Sequence, residues 1–155
     1  MLPAPSRLTG SDNFRLVTRK GRRAGRPRLV VHAITAEEVA GFGALGIDAV
    51  KVDPVMTDAG AVPRVGFVVS KAVGNSVVRH RVARRLRHVV RDRLGTVRPG
   101  CTLVVRALPS AASAASAELG GDIDSAFRRL RLCRANGDSG TATDKQTDTA
   151  TGGAQ

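Results

Sequence analysis

Residues 64–93 read RVGFVVSKAVGNSVVRHRVARRLRHVVRDR, and this stretch decides the fold because it joins an apolar strand to a long helix. Arg64–Ser70 is nearly continuously apolar, which predicts a strand in the centre of a sheet. Asn75 or Ser76 can supply the N-cap oxygen of a helix over about Ser76–Arg93. Four apolar side chains of that helix recur at spacings of four, four and three: Val78, Val82, Leu86 and Val89. The spacing predicts one apolar stripe that packs on the sheet.

The other side of this helix carries basic residues without compensating acids. Residues 71–93 contain eight Lys and Arg against one acid, Asp92. One strip opposite the apolar stripe consists of His80, Arg84, Arg87 and Arg91. Like charges at this spacing destabilise an isolated helix by roughly a few tenths of a kcal/mol per pair. Arg offers two parallel donors to a phosphate, so the pattern favours a phosphate-rich partner. A membrane-surface helix would carry larger apolar residues on its other face.

The composition of the whole chain agrees with a polyanionic partner. Its 155 residues contain 25 Lys and Arg and 13 Asp and Glu, a formal net charge of +12. Two isolated cysteines, Cys101 and Cys133, have no CxxC spacing and favour neither a disulfide framework nor a zinc site. The opening MLPAPSRLTG lacks the apolar segment of a signal peptide, and no apolar run is long enough to span a bilayer. We therefore expect a cytoplasmic protein with no membrane partner.

The remaining sequence predicts one α/β domain with a tail at each end. We expect a disordered lead over 1–9, a domain over 10–134 and a disordered tail over 135–155, which is poor in large apolar residues. Within the domain, residues 35–62 form a long insert or loop, with a helix start at Thr35 and a possible strand over 49–52. The other predicted elements are a short helix with Phe14 and Val17, a basic loop or edge strand over 19–28, strands Leu29–Ile34 and Thr102–Val105, and a helix near Glu118–Arg134.

Two parts of the opening stretch resemble the signature of the bacterial ribonuclease P protein component. Phe67–Lys71 reads FVVSK and Gly74–Arg87 reads GNSVVRHRVARRLR. In that family a strand ends in Ser-Lys, a Gly-Asn turn follows, and a basic helix carries an Arg-Asn-Arg element. The order of elements over residues 7–134 is also similar.

The resemblance implies both a fold and a function. The fold is a two-layer α/β (α+β) sandwich of the ribosomal protein S5 domain 2-like type, a small mixed four-stranded sheet with helices packed on it and a left-handed βαβ crossover. The function is that of the RNA-binding subunit of an endoribonuclease, ribonuclease P, which removes the 5′ leader from precursor tRNA. The RNA partner performs the catalysis with Mg²⁺ that it mainly binds itself, and one protein per catalytic RNA is expected. No catalytic or metal-binding residue is expected on this chain.

Two sets of binding residues follow from the resemblance, position by position. The set that binds the RNA subunit is Lys71, Asn75, Arg79, His80, Arg81, Arg84, Arg85, Arg87 and Arg91. The set in a leader-binding cleft between the sheet and the first helix is Phe14, Arg15, Thr18, Arg19 and His32. The chain departs from the family at His80, where Asn is common, at Ala72, where a second Lys is common, and at Thr18 and His32, where aromatic residues are frequent. Leader binding is therefore expected to depend more on charge than on stacking, which is worth roughly 1–3 kcal/mol per base.

Three other functions fit parts of the same pattern. A ribosomal protein with a structural role would have the same charge and fold. A helix-turn-helix DNA-binding regulator would need a short helix just before the basic one, and a protein-only nuclease would need a cluster of carboxylates. Reconstitution with the RNA partner and precursor tRNA distinguishes these functions.

Overall fold

The apolar runs of the chain form one four-stranded sheet in a computed structural model, which describes residues 2–44 and 54–133. The strands are β1 Arg22–Gly25, β2 Leu29–Thr35, β3 Arg64–Val68 and β4 Cys101–Ala107, in the spatial order β1-β2-β4-β3. The α-helices of the described residues are α1 Ser11–Lys20, α2 Ala36–Ala44, α3 Ser76–Arg91 and α4 Ser116–Leu130. β2 is antiparallel to β1 and β4, whereas β3 is parallel to β4. This mixed sheet with packed helices confirms the predicted α/β fold class; the handedness of the β3–α3–β4 crossover stays a prediction.

The alternation of side chains along the strands gives the sheet two apolar faces. Helices α3 and α4 cover the first face, and the buried residues of this larger core include Val31, Leu103, Val82, Leu86 and Phe127. Helices α1 and α2 contribute to a smaller cluster on the opposite face: Leu16, Val17, Ile34, Val39 and Val104. Burying a Val or Leu side chain is worth roughly 1.5–3 kcal/mol, so apolar packing fixes α3 on the sheet with its basic side outward.

The two long helices follow the predicted patterns. Val82, Leu86 and Val89 of α3 are buried and Val78 is half-buried, as the stripe predicts. Asn75 is the N-cap, and its Oδ1 accepts a hydrogen bond from the Val78 N–H at 3.0 Å. The inner residues predicted for α4 are all buried: Leu119, Ile123, Ala126, Phe127 and Leu130. Each helix ends earlier than predicted, α3 at Arg91 and α4 at Leu130.

Strand β3 lies at an edge of the sheet, so the prediction of a central strand is wrong. Its hydrogen-bonded strand neighbour is β4. A ring of α1, Phe14, lies against Gly66 on one face of β3, and α3 packs on the other face. A continuous apolar run indicates that both faces of a strand are covered by other elements. Covered faces do not require a neighbouring strand at each edge.

The predicted disordered lead over 1–9 is wrong for residues 2–9. Leu2 and Leu8 are buried, and a 3-10 turn spans Ala4–Ser6. The Leu8 N–H donates to the Val65 carbonyl oxygen at 3.0 Å, so this segment runs along the outer edge of β3. The buried apolar side chains and the backbone hydrogen bond to the edge strand hold this segment in place. A purely polar lead would lack these contacts.

The helix start predicted at Thr35 is confirmed. The Thr35 N–H donates to a Glu38 carboxylate oxygen at 2.7 Å, and the Glu38 N–H donates back to the Thr35 hydroxyl at 3.2 Å. This reciprocal capping begins α2, so residues 36–44 of the expected insert are helical. The possible strand over 49–52 and the predicted disordered tail over 135–155 lie outside the described residues.

Candidate nucleic-acid interface

Helix α3 displays most of the basic residues that the resemblance assigns to the RNA subunit. Of these assigned residues, His80, Arg81, Arg84 and Arg91 are exposed on α3. Arg79 and Arg87 are half-buried on the side of α3 that faces Phe67 of β3. Lys71 is exposed in a 3-10 turn just before the helix. These side chains together give α3 and the turn before it a basic surface.

The acids that form ion pairs lie on other elements and serve other arginines. Arg28 pairs with Glu118 at 2.9 Å and with Asp122 at 3.4 Å, and Arg93 pairs with Asp124 at 2.6 Å. Among residues 2–44 and 54–133, the basic side chains on the outer side of α3 form no ion pair with an acid. α3 therefore carries several positive charges without a compensating acid, which raise the local concentration of anionic ligands.

Two members of the predicted RNA-binding set have structural contacts of their own. The Arg85 guanidinium donates to the Ala114 carbonyl oxygen at 2.8 Å, so this half-buried side chain is directed towards the connection before α4. The side-chain oxygen of Asn75 caps α3, which leaves its amide nitrogen for a ligand. Their neighbours Arg81 and Arg84 have no such anchoring contact within the described residues.

The second predicted set lies on the opposite face of the sheet. In the register of the strands, Arg23, His32, Val104 and Gly66 form one row across this face. The ring of Phe14 lies against Gly66, and a Cβ at that position would overlap it. Phe14 and His32 therefore lie on the same face of the sheet, where the predicted leader cleft runs between α1 and the sheet.

The polar residues of α1 line the outer side of this cleft. Arg15, Thr18 and Arg19 are exposed. Arg15 lies 3.9 Å from Asp12, a solvent-exposed pair that is worth little. The Thr18 hydroxyl donates within its own helix, to the carbonyl oxygens of Phe14 and Arg15 at 3.0 and 3.1 Å. What Thr18 offers a ligand is thus mainly an acceptor oxygen and a methyl group.

His32 is a buried polar residue in the floor of the cleft. It is 8% exposed, and its Nδ1 has no hydrogen-bond partner among the described residues. Arg23 lies opposite it on β1, and Arg106 lies on the same face of β4, beside Val30. Burial first, and then the charges of Arg23 and Arg106, lower the pKa of His32 below its ordinary value of 6.5. The imidazole is therefore neutral at neutral pH.

The environment of His32 predicts a pH dependence of stability. Because folding lowers its pKa, the unfolded chain takes up the proton at a higher pH than the folded one. The contribution of neutral His32 to the free energy of unfolding is therefore fully present above its unfolded pKa, near 6.5. This contribution is lost as the pH falls through the folded pKa. We expect urea unfolding to show a loss of stability on acidification that is smaller in His32→Gln. The matched control His88→Gln, at an exposed position, should keep the wild-type pH dependence; an equal slope in both variants would contradict the assignment.

Sequence reasoning assigned no role to two basic residues beside the cleft. Arg23 belongs to a basic run that sequence alone describes only as a loop or edge strand. Arg106 is the single exposed position in β4, whose other residues are buried. A charged residue within an otherwise apolar strand is a signal that could have identified it. With His32 between them in the sheet, the two arginines add positive charge to the predicted leader site.

The described residues bring together no group of three or more His, Cys, Asp or Glu side chains that could hold a metal ion. No helix within residues 2–44 and 54–133 combines the length and apolar character needed to cross a membrane.

Comparisons with known proteins agree with this geometry. A family model described as Ribonuclease P matches residues 2–131. The "Ribonuclease P protein component" of Streptomyces griseus is 48% identical over 131 residues, which cover 84% of this chain and 95% of that protein. The same-named protein of Rhodococcus erythropolis is 46% identical over 132 residues, 85% of this chain and 94% of the relative.

Solved structures show the same fold. The Staphylococcus aureus RNase P protein superposes with a TM-score of 0.62 at 17% identity, covering 83% of this chain and 98% of that one. The Thermotoga maritima RNase P protein gives a TM-score of 0.58 at 17% identity, covering 79% and 96%. At these identities the likeness concerns the arrangement of helices and strands, and the close relatives carry the family assignment.

Proposed function

This chain belongs to the ribonuclease P protein component family, and from that premise we propose that it assists the catalytic RNA in removing the 5′ leader from precursor tRNA. A ribonuclease P protein component is a subunit of the tRNA-processing ribonuclease and has an RNA partner. The finer proposal assigns two RNA surfaces to this chain, α3 for the catalytic RNA and the cleft between α1 and the sheet for the leader.

The observation that carries the proposal is the basic surface of α3. Its exposed Arg81, Arg84 and Arg91 have no acid partner within the described residues, although acids elsewhere pair with Arg28 and Arg93. A surface that excludes acids while keeping several guanidinium groups is suited to phosphate oxygens. RNA phosphates would supply the missing anions and remove the repulsion between neighbouring arginines.

The cleft on the other face has the properties expected for a single strand. Phe14 offers a half-buried ring to an unstacked base, and Arg23 and Arg106 offer charge to the backbone. Single-stranded RNA is typically held by such a combination of stacking and charge. Because His32 and Thr18 replace larger aromatic residues, charge contributes more of the affinity here than stacking does.

We propose that this chain binds and orients RNA and that the RNA partner performs the hydrolysis. Mg²⁺, in this proposal, is bound mainly by the RNA, and one protein acts with one catalytic RNA. The protein lowers the repulsion between two polyanions, the catalytic RNA and precursor tRNA, which raises the affinity for substrate and for metal.

Reconstitution tests the proposed function. The purified protein, its RNA partner and precursor tRNA are mixed at low magnesium concentration, and release of the 5′ leader is measured. We expect the protein to increase cleavage above that of the RNA alone, and the protein alone to cleave nothing. Equal rates with and without the protein would refute the proposal and favour a structural role in another ribonucleoprotein, and cleavage by the protein alone would favour a protein-only nuclease.

We expect Arg84→Ala to change the salt dependence of binding to the catalytic RNA. If its guanidinium meets one phosphate, the slope of log affinity against log salt concentration falls by about one unit or slightly less. The matched control is Arg128→Ala, which removes the same charge from an exposed position on α4. Binding of the two variants to the catalytic RNA is titrated at several salt concentrations. Equal slopes in the two variants would show that only net charge matters.

A further inference from the structure

Three side chains that carry or can gain a positive charge lie beside one another on the sheet face that packs against α1. Arg23 of β1 lies directly across from His32 of β2. On the other side of His32, β4 places Arg106 on the same face, two residues beyond Val104, which is directly across from His32. Opposed residues have Cβ atoms roughly 5 Å apart, and residues on the diagonal are roughly 7–8 Å apart. Arg23, His32 and Arg106 therefore form one group, the sheet cluster.

The sheet cluster has no acidic partner within the part of the chain that the structure describes. Arg23 and Arg106 are exposed on either side of the buried His32, and no acid of residues 2–44 and 54–133 forms an ion pair with any of the three. The other charged groups on this face, or on the helices that pack on it, are Asp12, Arg15, Arg19 and Lys20 of α1, Glu37 and Glu38 of α2, and Arg64 of β3. Two of these acids, Asp12 and Glu38, already pair with an arginine. The positive charge of the cluster is thus available to an anionic ligand.

The two arginines of the cluster oppose a proton on His32. Burial first, and then the charges of Arg23 and Arg106, lower the pKa of the imidazole. A phosphate held by the two guanidinium groups would bring negative charge close to the ring, which favours the imidazolium form. Phosphate binding and protonation of His32 therefore favour each other. Such a coupling has the same size in both directions, so a ligand that attracts a proton is itself bound more tightly when the proton is present.

We propose that the sheet cluster holds one phosphate of the leader and that His32 takes up a proton when this phosphate binds. The inference rests on the proposed function, since it concerns the leader site named there. Leader affinity rises as the pH falls, because the protonated cluster carries three positive charges instead of two. The rise begins near the pKa of His32 in the complex and levels off below the pKa of His32 in the free protein. The histidine thus gives this leader site a response to pH that arginines alone would not give.

The pH dependence of leader binding tests the proton uptake. The complex of the protein with its catalytic RNA is titrated with precursor tRNA between about pH 5.5 and about pH 8. One substrate has a long leader of uridines, whose bases gain no proton in this range, and the other has a one-nucleotide leader. The ratio of the two affinities isolates the leader contacts and cancels the titration of His80 and His88, which lie on α3. We expect the ratio to rise about five-fold or more from the highest to the lowest pH; a ratio that does not change with pH overturns the proposal.

Two histidine variants assign the pH dependence to a residue. His32→Gln removes the titrating group, and we expect the affinity ratio of this variant to be independent of pH. The matched control His88→Gln removes a histidine from an exposed position of α3 and should keep the wild-type rise. A rise that persists unchanged in His32→Gln overturns the assignment to His32.

A second measurement does not depend on replacing the buried histidine. Calorimetric titrations in two buffers of different ionisation enthalpy count the protons taken up when the long leader binds at about pH 6. We expect net uptake with the wild-type protein. Arg106→Gln, at an exposed position, should lower the affinity ratio about five-fold and reduce the uptake, because the phosphate loses one of its two guanidinium partners. No uptake in the wild type, or an unchanged ratio and uptake in Arg106→Gln, overturns the site.

This inference and the proposed function can fail separately. A protein that stimulates leader release and prefers the long leader equally at every pH loses only the proton uptake by His32. Absence of stimulation refutes the proposed function itself.

Discussion

Replacing Gly21 with alanine is expected to lower the free energy of unfolding by about 3 kcal/mol. Gly21 joins α1 to β1, and a Cβ there would overlap the Val17 carbonyl oxygen and lie 2.7 Å from the Ala33 carbonyl oxygen. Both are backbone atoms, one in α1 and the other in β2. Neither can rotate away as a side chain would, so the helix must shift from the sheet.

Urea unfolding of Gly21→Ala and Gly25→Ala measures this effect. Gly25 lies in the same segment, but a Cβ at that position meets no atom within 4 Å. We expect the control to change stability by less than about 0.5 kcal/mol, as for most open surface positions. Similar stabilities of the two variants would contradict the close approach of α1 to the sheet.

Replacing Gly66 with alanine is expected to displace the ring of Phe14 and to weaken leader binding. The added methyl group would occupy the space of the ring, because the Cβ overlaps two ring atoms. Overpacking of this kind costs about 1–3 kcal/mol of stability. A displaced ring also leaves the cleft without its stacking surface, which is worth roughly 1–3 kcal/mol per base.

A double-mutant cycle identifies the contact. Phe14→Leu shortens the side chain, so its combination with Gly66→Ala should be more stable than the sum of the single changes predicts. Leader binding is measured as the ratio of affinities for precursor tRNA with a long and with a one-nucleotide leader. We expect Gly66→Ala to lower this ratio by about five-fold or more. Additive stabilities and an unchanged ratio would show that Phe14 is not seated on Gly66.

One ion pair with α4 holds the C-terminal end of the basic helix α3. The Arg93 side chain, just past the end of α3, reaches Asp124 of α4, and its Nη1 also donates to the Val89 carbonyl oxygen at 2.9 Å. Gly120 leaves room for this guanidinium, since a Cβ there would lie 2.7 Å from its Nη2. Asp124 of α4 thus holds the segment just past the end of α3, and the arginines on the outer side of α3 have no acid partner within the described residues.

Local sequence determined the elements and the nature of the partner. The spacing of Val78, Val82, Leu86 and Val89 predicts α3 and its buried side, and Asn75 marks its start; both are properties of residues within one or two turns. Charge is equally local, so the excess of arginine over acid in residues 71–93 is visible without a fold. The family signature lies in the same segment.

Tertiary structure alone decided which of these residues are available. Arg84 and Arg85 are adjacent and chemically identical, yet Arg85 donates to Ala114, 29 residues away, while Arg84 stays exposed. The apolar run of β3 indicated two covered faces but not an edge position, because strand order depends on pairing with β4, over 30 residues later. The periodicity and the charge of a segment depend on residues that are close in the chain. The position of a strand in the sheet and the exposure of an arginine side chain depend on contacts between distant segments.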